Sequence, residues 1–172
     1  MRKPTVFLAA LFAAFTLLPA PASALPSLAP NDKSQINTLI EKYRLAFEAR
    51  DVNAIMSAYA PGDGVFVFDA IPPRDYPTWD EYRKDWEGLF KTFPGPVKDK
   101  ISDLTLVVDG SMAYSHRIED THFTAADGTE KEMVTRVTDV YRKISGKWLI
   151  VHEHVSFPVD PTTGQADMLS KP

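Results

Sequence analysis

The chain has 172 residues with 19 Lys+Arg, 23 Asp+Glu, four His and no Cys, a formal net charge of −4. That length is one domain's worth and is enough to bury a real core. Without cysteine there is no disulfide framework, thiol catalysis or thiolate-held zinc, and the acidic balance, lacking any basic cluster, argues against a nucleic-acid partner.

The N-terminus has the pattern of a secretory signal: Arg2 and Lys3, an apolar run from Val6 to Leu18, then Ala22-Ser23-Ala24 for a peptidase. The run is roughly a dozen residues, and a spanning helix needs about 20. We therefore expect residues 1–24 to be a signal peptide, 25–30 a Pro-rich linker, 31–158 the domain and 159–172 a flexible tail. Losing the two signal cations leaves 17 Lys+Arg against 23 Asp+Glu. No long apolar segment follows, so the expectation is a periplasmic or secreted protein with no membrane contact after cleavage. Cytosolic cofactors are not generally available there, so the chemistry expected is one that needs none.

Asn31 or Asp32 can cap a first helix in which Ile36, Leu39, Ile40, Tyr43 and Phe47 form one apolar stripe, ending near Arg50. Asp51 can cap a short second helix carrying Ile55, Met56 and Tyr59, stopped by Pro61-Gly62. A brief strand, Val65 to Asp69, follows. Thr78-Trp79-Asp80-Glu81 is a capping box, and the helix it opens carries Trp79, Tyr82, Trp86, Leu89, Phe90 and Phe93 until Pro94-Gly95-Pro96.

From Val97 the period changes to that of strands, about Val97 to Val108, Met112 to Ala125, Glu130 to Lys143 and Lys147 to Phe157. Asp109-Gly110, Asp127-Gly128 and Ser145-Gly146 are the joining turns, of the dipeptide type that favours two-residue hairpin loops. Helices first and an antiparallel sheet after is an α+β architecture.

Counting outward from two-residue loops at all three turns sets a register. It aligns Asp103, His116, Asp139 and His152 in one row across four strands, with Tyr114, Tyr141, Ile118, Val137, Ile150 and His154 on the same face. Opposed residues would have Cβ atoms about 4.5–5.5 Å apart, within reach of acid–imidazole hydrogen bonds. A mostly apolar face with a polar stripe suits a small-molecule pocket. The same count sends Leu104, Leu106, Arg117, Glu119, Arg136 and Glu153 to the opposite face, read as solvated or subunit-contacting. His152-Glu153-His154 offers two imidazoles on one face, which alone is weak evidence for a metal, and no metal is assigned.

The ending Arg136-Val137-Thr138-Asp139-Val140-Tyr141-Arg142-Lys143, a Ser-Gly turn and Lys147-Trp148-Leu149-Ile150-Val151-His152-Glu153-His154-Val155-Ser156, behind three helices, resembles the SnoaL-like branch of the nuclear transport factor 2 superfamily over roughly Asn31 to Phe157. It is also similar to the association domain of calcium/calmodulin-dependent kinases. The resemblance implies a cystatin-like cone: three N-terminal helices packed on a curved, mostly antiparallel sheet, with a pocket and often a homodimer. A more distant likeness is to ketosteroid isomerase, which uses an aspartate base with a tyrosine and a neutral carboxylic acid. On that likeness Tyr43 matches the tyrosine, Asp69 the base, allowing a two-residue insertion near Gly62, and Asp139 the acid. The departure is Asp139, which the register sets between His116 and His152, where a carboxylate stays ionised.

The functional expectation is a pocket for a small, mostly apolar organic molecule, with isomerase-, cyclase- or lyase-type proton transfer on it. Asp69 or the Asp139–His152 pair would be the base and Tyr43 the donor. Tyr114, His116, Tyr141, His154, Trp79, Tyr82 and Trp86 would line the ligand. The alternative is a non-catalytic homodimeric module of an exported assembly.

Overall fold

The computed structural model describes residues 32–171. The expected signal peptide, the linker and the candidate cap Asn31 lie outside the described residues.

Helix α1 runs Asp32–Ala49 and buries Ile36, Ile40, Tyr43 and Phe47, the stripe that their spacing dictates. Its first turn is fastened to the far end of the sheet, where Lys143 Nζ and Trp148 Nε1 both donate to Asp32 Oδ1, at 2.6 and 3.1 Å. Helix α2, Val52–Met56, is capped by Asp51, whose Oδ1 accepts from Ala54 N at 3.0 Å. It stops before Tyr59, because Ala58 and Ala60 bond the backbone of Ile150 instead, each at 2.8 Å.

Strand β1, Phe66–Phe68, precedes helix α3, Trp79–Thr92. Thr78 Oγ1 accepts from Glu81 N at 3.3 Å, so the threonine half of the capping box forms, while the Glu81 carboxylate accepts from the Thr78 hydroxyl at 3.1 Å; Tyr82, Trp86 and Phe90 face the core at four-residue intervals. Strands β2 (Val97–Asp109), β3 (Met112–Thr124), β4 (Glu130–Ile144) and β5 (Lys147–Ser156) form the meander. The sheet order is β1-β5-β4-β3-β2, with β1 parallel to β5 and every other pair antiparallel. Helices α1 and α3 cover one face of this sheet, and the aromatic core lies between. This is the expected α+β layering. Among the described residues, no helix is long and apolar enough to cross a membrane.

The register differs from the one counted from the turns, and two causes account for it. The middle loop is five residues, since Thr124 pairs with Glu130 while Ala125 N bonds Thr129 O at 2.9 Å and Gly128 N bonds Ala125 O at 3.0 Å. Opposite Asp139 is therefore Ser115, and opposite His116 is Thr138. The last turn is the expected two-residue Ser145-Gly146, both with positive φ. A bulge follows, however: Tyr141 pairs with Ile150 but Val140 with His152, leaving Val151 extra. Asp139 consequently faces Glu153, not His152. In the first hairpin the loop is Gly110-Ser111, one position later than counted, so His116 pairs with Thr105 instead of Asp103, and a second bulge at Asp103 (φ 51°) follows beyond that pair. The acid–histidine row does not form.

Val159 to Lys171, the described part of the expected flexible tail, is laid along the sheet. β4 pairs with β5 only from Arg136 onward, so the edge before it has unfilled backbone groups. Val134 N fills one by donating to Met168 O at 2.7 Å. Lys171 Nζ then reaches Asp120 at 2.7 Å and Glu132 at 2.8 Å on the outer face.

Candidate functional site

Between α1, α3 and the inner face of the sheet is a cavity of about 90 Å³. One water needs only ~10–15 Å³ of such space, so there is room for a small organic molecule. Its walls are Tyr43 and Phe47 from α1, Tyr82 and Trp86 from α3, and Phe123 from β3. These rings pack edge-on or tilted, as in Tyr43–Trp86 at 6.2 Å and Phe47–Trp86 at 5.1 Å. Four carboxyl groups also line it: Asp69, Asp85, Glu119 and Glu153.

Asp69 follows β1 at the cavity rim. Its Oδ1 accepts from Ala70 N at 2.5 Å and Ile71 N at 3.4 Å. Burial, and then the neighbouring Asp85 carboxylate, push it up to about 6 despite those amides. Asp85 in turn accepts from Tyr76 OH at 2.5 Å. Tyr43, almost fully buried, is held well above the usual phenol range by burial and by Glu153 and Glu119, so it keeps its proton.

Beneath the cavity lies an ionic cluster. Arg117 Nε donates to Glu119 Oε1 at 2.6 Å and Arg117 Nη1 donates to Asp139 Oδ2. Tyr141 OH donates to the same Asp139 oxygen at 2.7 Å, with Ser115 Oγ 2.8 Å from that hydroxyl. Glu153 receives Tyr59 OH at 2.9 Å and Tyr82 OH at 2.6 Å. Burial and then the Asp139 charge hold Glu153 well above the usual carboxylate range.

Asp99 extends the cluster toward β2. Thr121 Oγ1 donates to its Oδ1 at 2.6 Å, while Oδ2 is buried with no partner among the described residues. Burial and then Glu119 push Asp99 up to about 7. Its folded value lies above its unfolded one, so the folded state binds the extra proton. That contribution to stability is full below about pH 4 and is lost as pH rises through about 7. Asp99→Asn should remove the loss: across this window wild type should weaken relative to the variant by ~1.4 kcal/mol per pH unit. Urea denaturation at a series of pH values measures it, and parallel curves would contradict it.

Of the residues singled out in the sequence, Tyr43, Asp69, Tyr82 and Trp86 share the cavity wall. Trp79 does not: its Nε1 donates to Met56 O at 2.9 Å and ties α3 to α2. Asp139 and Tyr141 are fully buried below the cavity and bond Arg117 and each other rather than histidine. Tyr114, His116 and His154 are exposed on the outer face of the sheet, and His152 lies half-buried there with Nδ1 2.8 Å from Phe66 O. The one-residue slips described above moved them. The same slips bring in Arg117, Glu119 and Glu153, which two-residue loops would put on the opposite face, solvated or subunit-contacting.

The model of a family described as SnoaL-like domain matches residues 36–160. No curated protein matches the chain. Among solved structures, an NTF2-like protein of unknown function from Pseudomonas putida KT2440 is 29% identical, with a TM-score of 0.76, covering 85% of this chain and 100% of its own. A protein from Novosphingobium aromaticivorans, provisionally named a scytalone dehydratase, is 12% identical with a TM-score of 0.65, covering 81% and 94%. A Xanthomonas campestris protein, provisionally named a calcium/calmodulin-dependent protein kinase II association domain, is 21% identical with a TM-score of 0.63, covering 78% and 91%. These last two likenesses concern the fold alone.

Proposed function

The chain belongs to the family of SnoaL-like domains, and from that premise we propose that it binds a small, mostly apolar organic molecule and moves a proton on it without a cofactor. Asp69 is the base and Tyr43 the hydrogen-bond donor. The observation that carries this reading is that the two groups, from different elements, line one aromatic cavity, with Asp69 at about 6 and Tyr43 held protonated. A base near neutrality accepts a proton yet is still ionised at pH 7. The reaction class is isomerase-, cyclase- or lyase-type, and the neighbour provisionally named a dehydratase fits the last. The N-terminal signal pattern supports export as the setting. Thermal-shift screening of the purified protein against small cyclic and aryl ketones should raise Tm for some of them, and Trp86→Ala should abolish that rise. A library that leaves Tm unmoved would count against a ligand site.

A second reading draws on the outer sheet face. There Tyr114 is 45% exposed and its cross-strand partner Val107 is 40% exposed, an apolar pair suited to an isologous contact with a second copy. Sedimentation equilibrium distinguishes a dimer from a monomer.

A further inference from the structure

The chain has three tryptophans, and the indole N–H groups of two have acceptors: Trp79 Nε1 donates to Met56 O at 2.9 Å and Trp148 Nε1 to Asp32 Oδ1 at 3.1 Å. The third has none. Trp86 Nε1 is buried with no partner among the described residues, although the side chain, 6% exposed, forms part of the cavity wall. Its neighbours are the rings of Tyr43, Phe47, Tyr82 and Phe90, with centroids between 5.1 and 6.2 Å away.

The large majority of buried polar side-chain atoms in proteins have a partner, because an unmet one keeps the full cost of its lost hydration. A side chain that served only to fill this space could be phenylalanine, which carries no such cost. No described residue accepts from the indole, so an acceptor has to enter through the cavity. Its charge is constrained as well. The described residues lining the cavity include no Lys, Arg or His, and Asp69, at about 6, is a carboxylate above that pH. An anionic oxygen would meet like charge there, and a neutral one would not. Among neutral acceptors a carbonyl oxygen makes use of both walls: it acidifies the neighbouring C–H that a base attacks, and a hydrogen bond to it strengthens as negative charge develops.

We propose that Trp86 selects the ligand by donating its indole N–H to a neutral carbonyl oxygen, while the apolar body of the molecule lies against Phe47 and Phe123 of the same wall. This rests on the ligand-site reading above. It narrows the ligand to ketones and aldehydes and adds a donor from α3 to the Tyr43 hydroxyl of α1.

The test uses the purified protein, isotope-labelled at its indole nitrogens and titrated in slightly alkaline buffer with three probes of one size. These are acetophenone, α-methylstyrene, in which a methylene replaces the carbonyl oxygen, and benzoate. The Trp86 resonance is assigned on wild type through contacts of its indole with the Tyr43 and Phe47 rings. Acetophenone should move it downfield of its position with α-methylstyrene bound, and the Trp79 and Trp148 signals should stay in place. Trp86→Phe should weaken acetophenone about tenfold relative to α-methylstyrene, the scale of one neutral hydrogen bond, since the lost ring volume is common to both. Benzoate should bind most weakly. A Trp86 signal that ketone and hydrocarbon move alike, or equal losses of both in a folded Trp86→Phe protein, would overturn the donor role and leave the ligand site standing. Benzoate binding as tightly as the ketone would overturn the restriction to a neutral oxygen. Binding of none of the three would remove both the site and its donor.

Discussion

Arg117→Met should lower the unfolding free energy by about 3–5 kcal/mol, the usual cost of stranding buried charge by removing one partner. For a domain of this size the melting temperature should fall by on the order of 10 °C. Arg117 is the cation on which the inner face depends: its side chain is 1% exposed, Nε holds Glu119, and Nη1 holds Asp139. Without it Asp139 retains only the Tyr141 hydroxyl, and its Oδ1 is already buried with no partner among the described residues. Methionine fills much of the volume, so the loss reports charge rather than a cavity. Arg117→Lys keeps the charge but not the planar fork that reaches two carboxylates at once, and should recover only part of the stability. Thermal and urea denaturation measure both. A loss under about 1 kcal/mol for the methionine variant, within the range of ordinary surface changes, would mean that the cluster holds its carboxyls without the guanidinium.

How much of this could be read from the sequence depends on whether a feature is local. The stripe of α1, the Asp51 cap and the Thr78 cap involve residues within a few positions of one another, and each formed where its spacing put it. Tyr43, Tyr82 and Trp86 reached the cavity wall for that reason, being fixed by helical period and not by any count across strands. Asp69 came from the end of a short strand and from the family resemblance.

The sheet needed longer bookkeeping, and there a single residue decides everything. A strand presents alternate residues to opposite faces, so a middle loop of five residues in place of two, an odd difference, exchanged the two rows of β3 relative to β4. The sequence of β3 offers little to correct the error. Ala113, Ser115, Arg117, Glu119 and Thr121 are no more apolar than Tyr114, His116, Ile118, Asp120 and His122, yet the first row is the buried one. Arginine and glutamate normally mark solvent, and here they are inside because they neutralise one another. The Val151 bulge has no signal of its own. It restores the inward orientation at Glu153 and turns His152 and His154 out, which is why the H-x-H pair looked like an internal feature.

Asp69→Asn should reduce proton abstraction by about 10²–10⁴-fold while leaving ligand binding nearly intact, because the amide keeps the shape of the carboxylate but cannot take a proton. The reaction to follow is exchange of hydrogen for deuterium beside the carbonyl of small aryl ketones, read by NMR. The base must be ionised to act, so the exchange rate should rise with pH and level off above an inflection near 6, where burial and Asp85 set Asp69. That placement yields a second test. Asp85 contributes to the shift through like charge, so Asp85→Asn should move the inflection downward, toward the ordinary carboxylate range, without removing activity. A merely structural role for Asp69 would alter Tm and leave the pH profile in place. Exchange by Asp69→Asn at the wild-type rate, in a protein that still binds the ketone, would rule Asp69 out as the base.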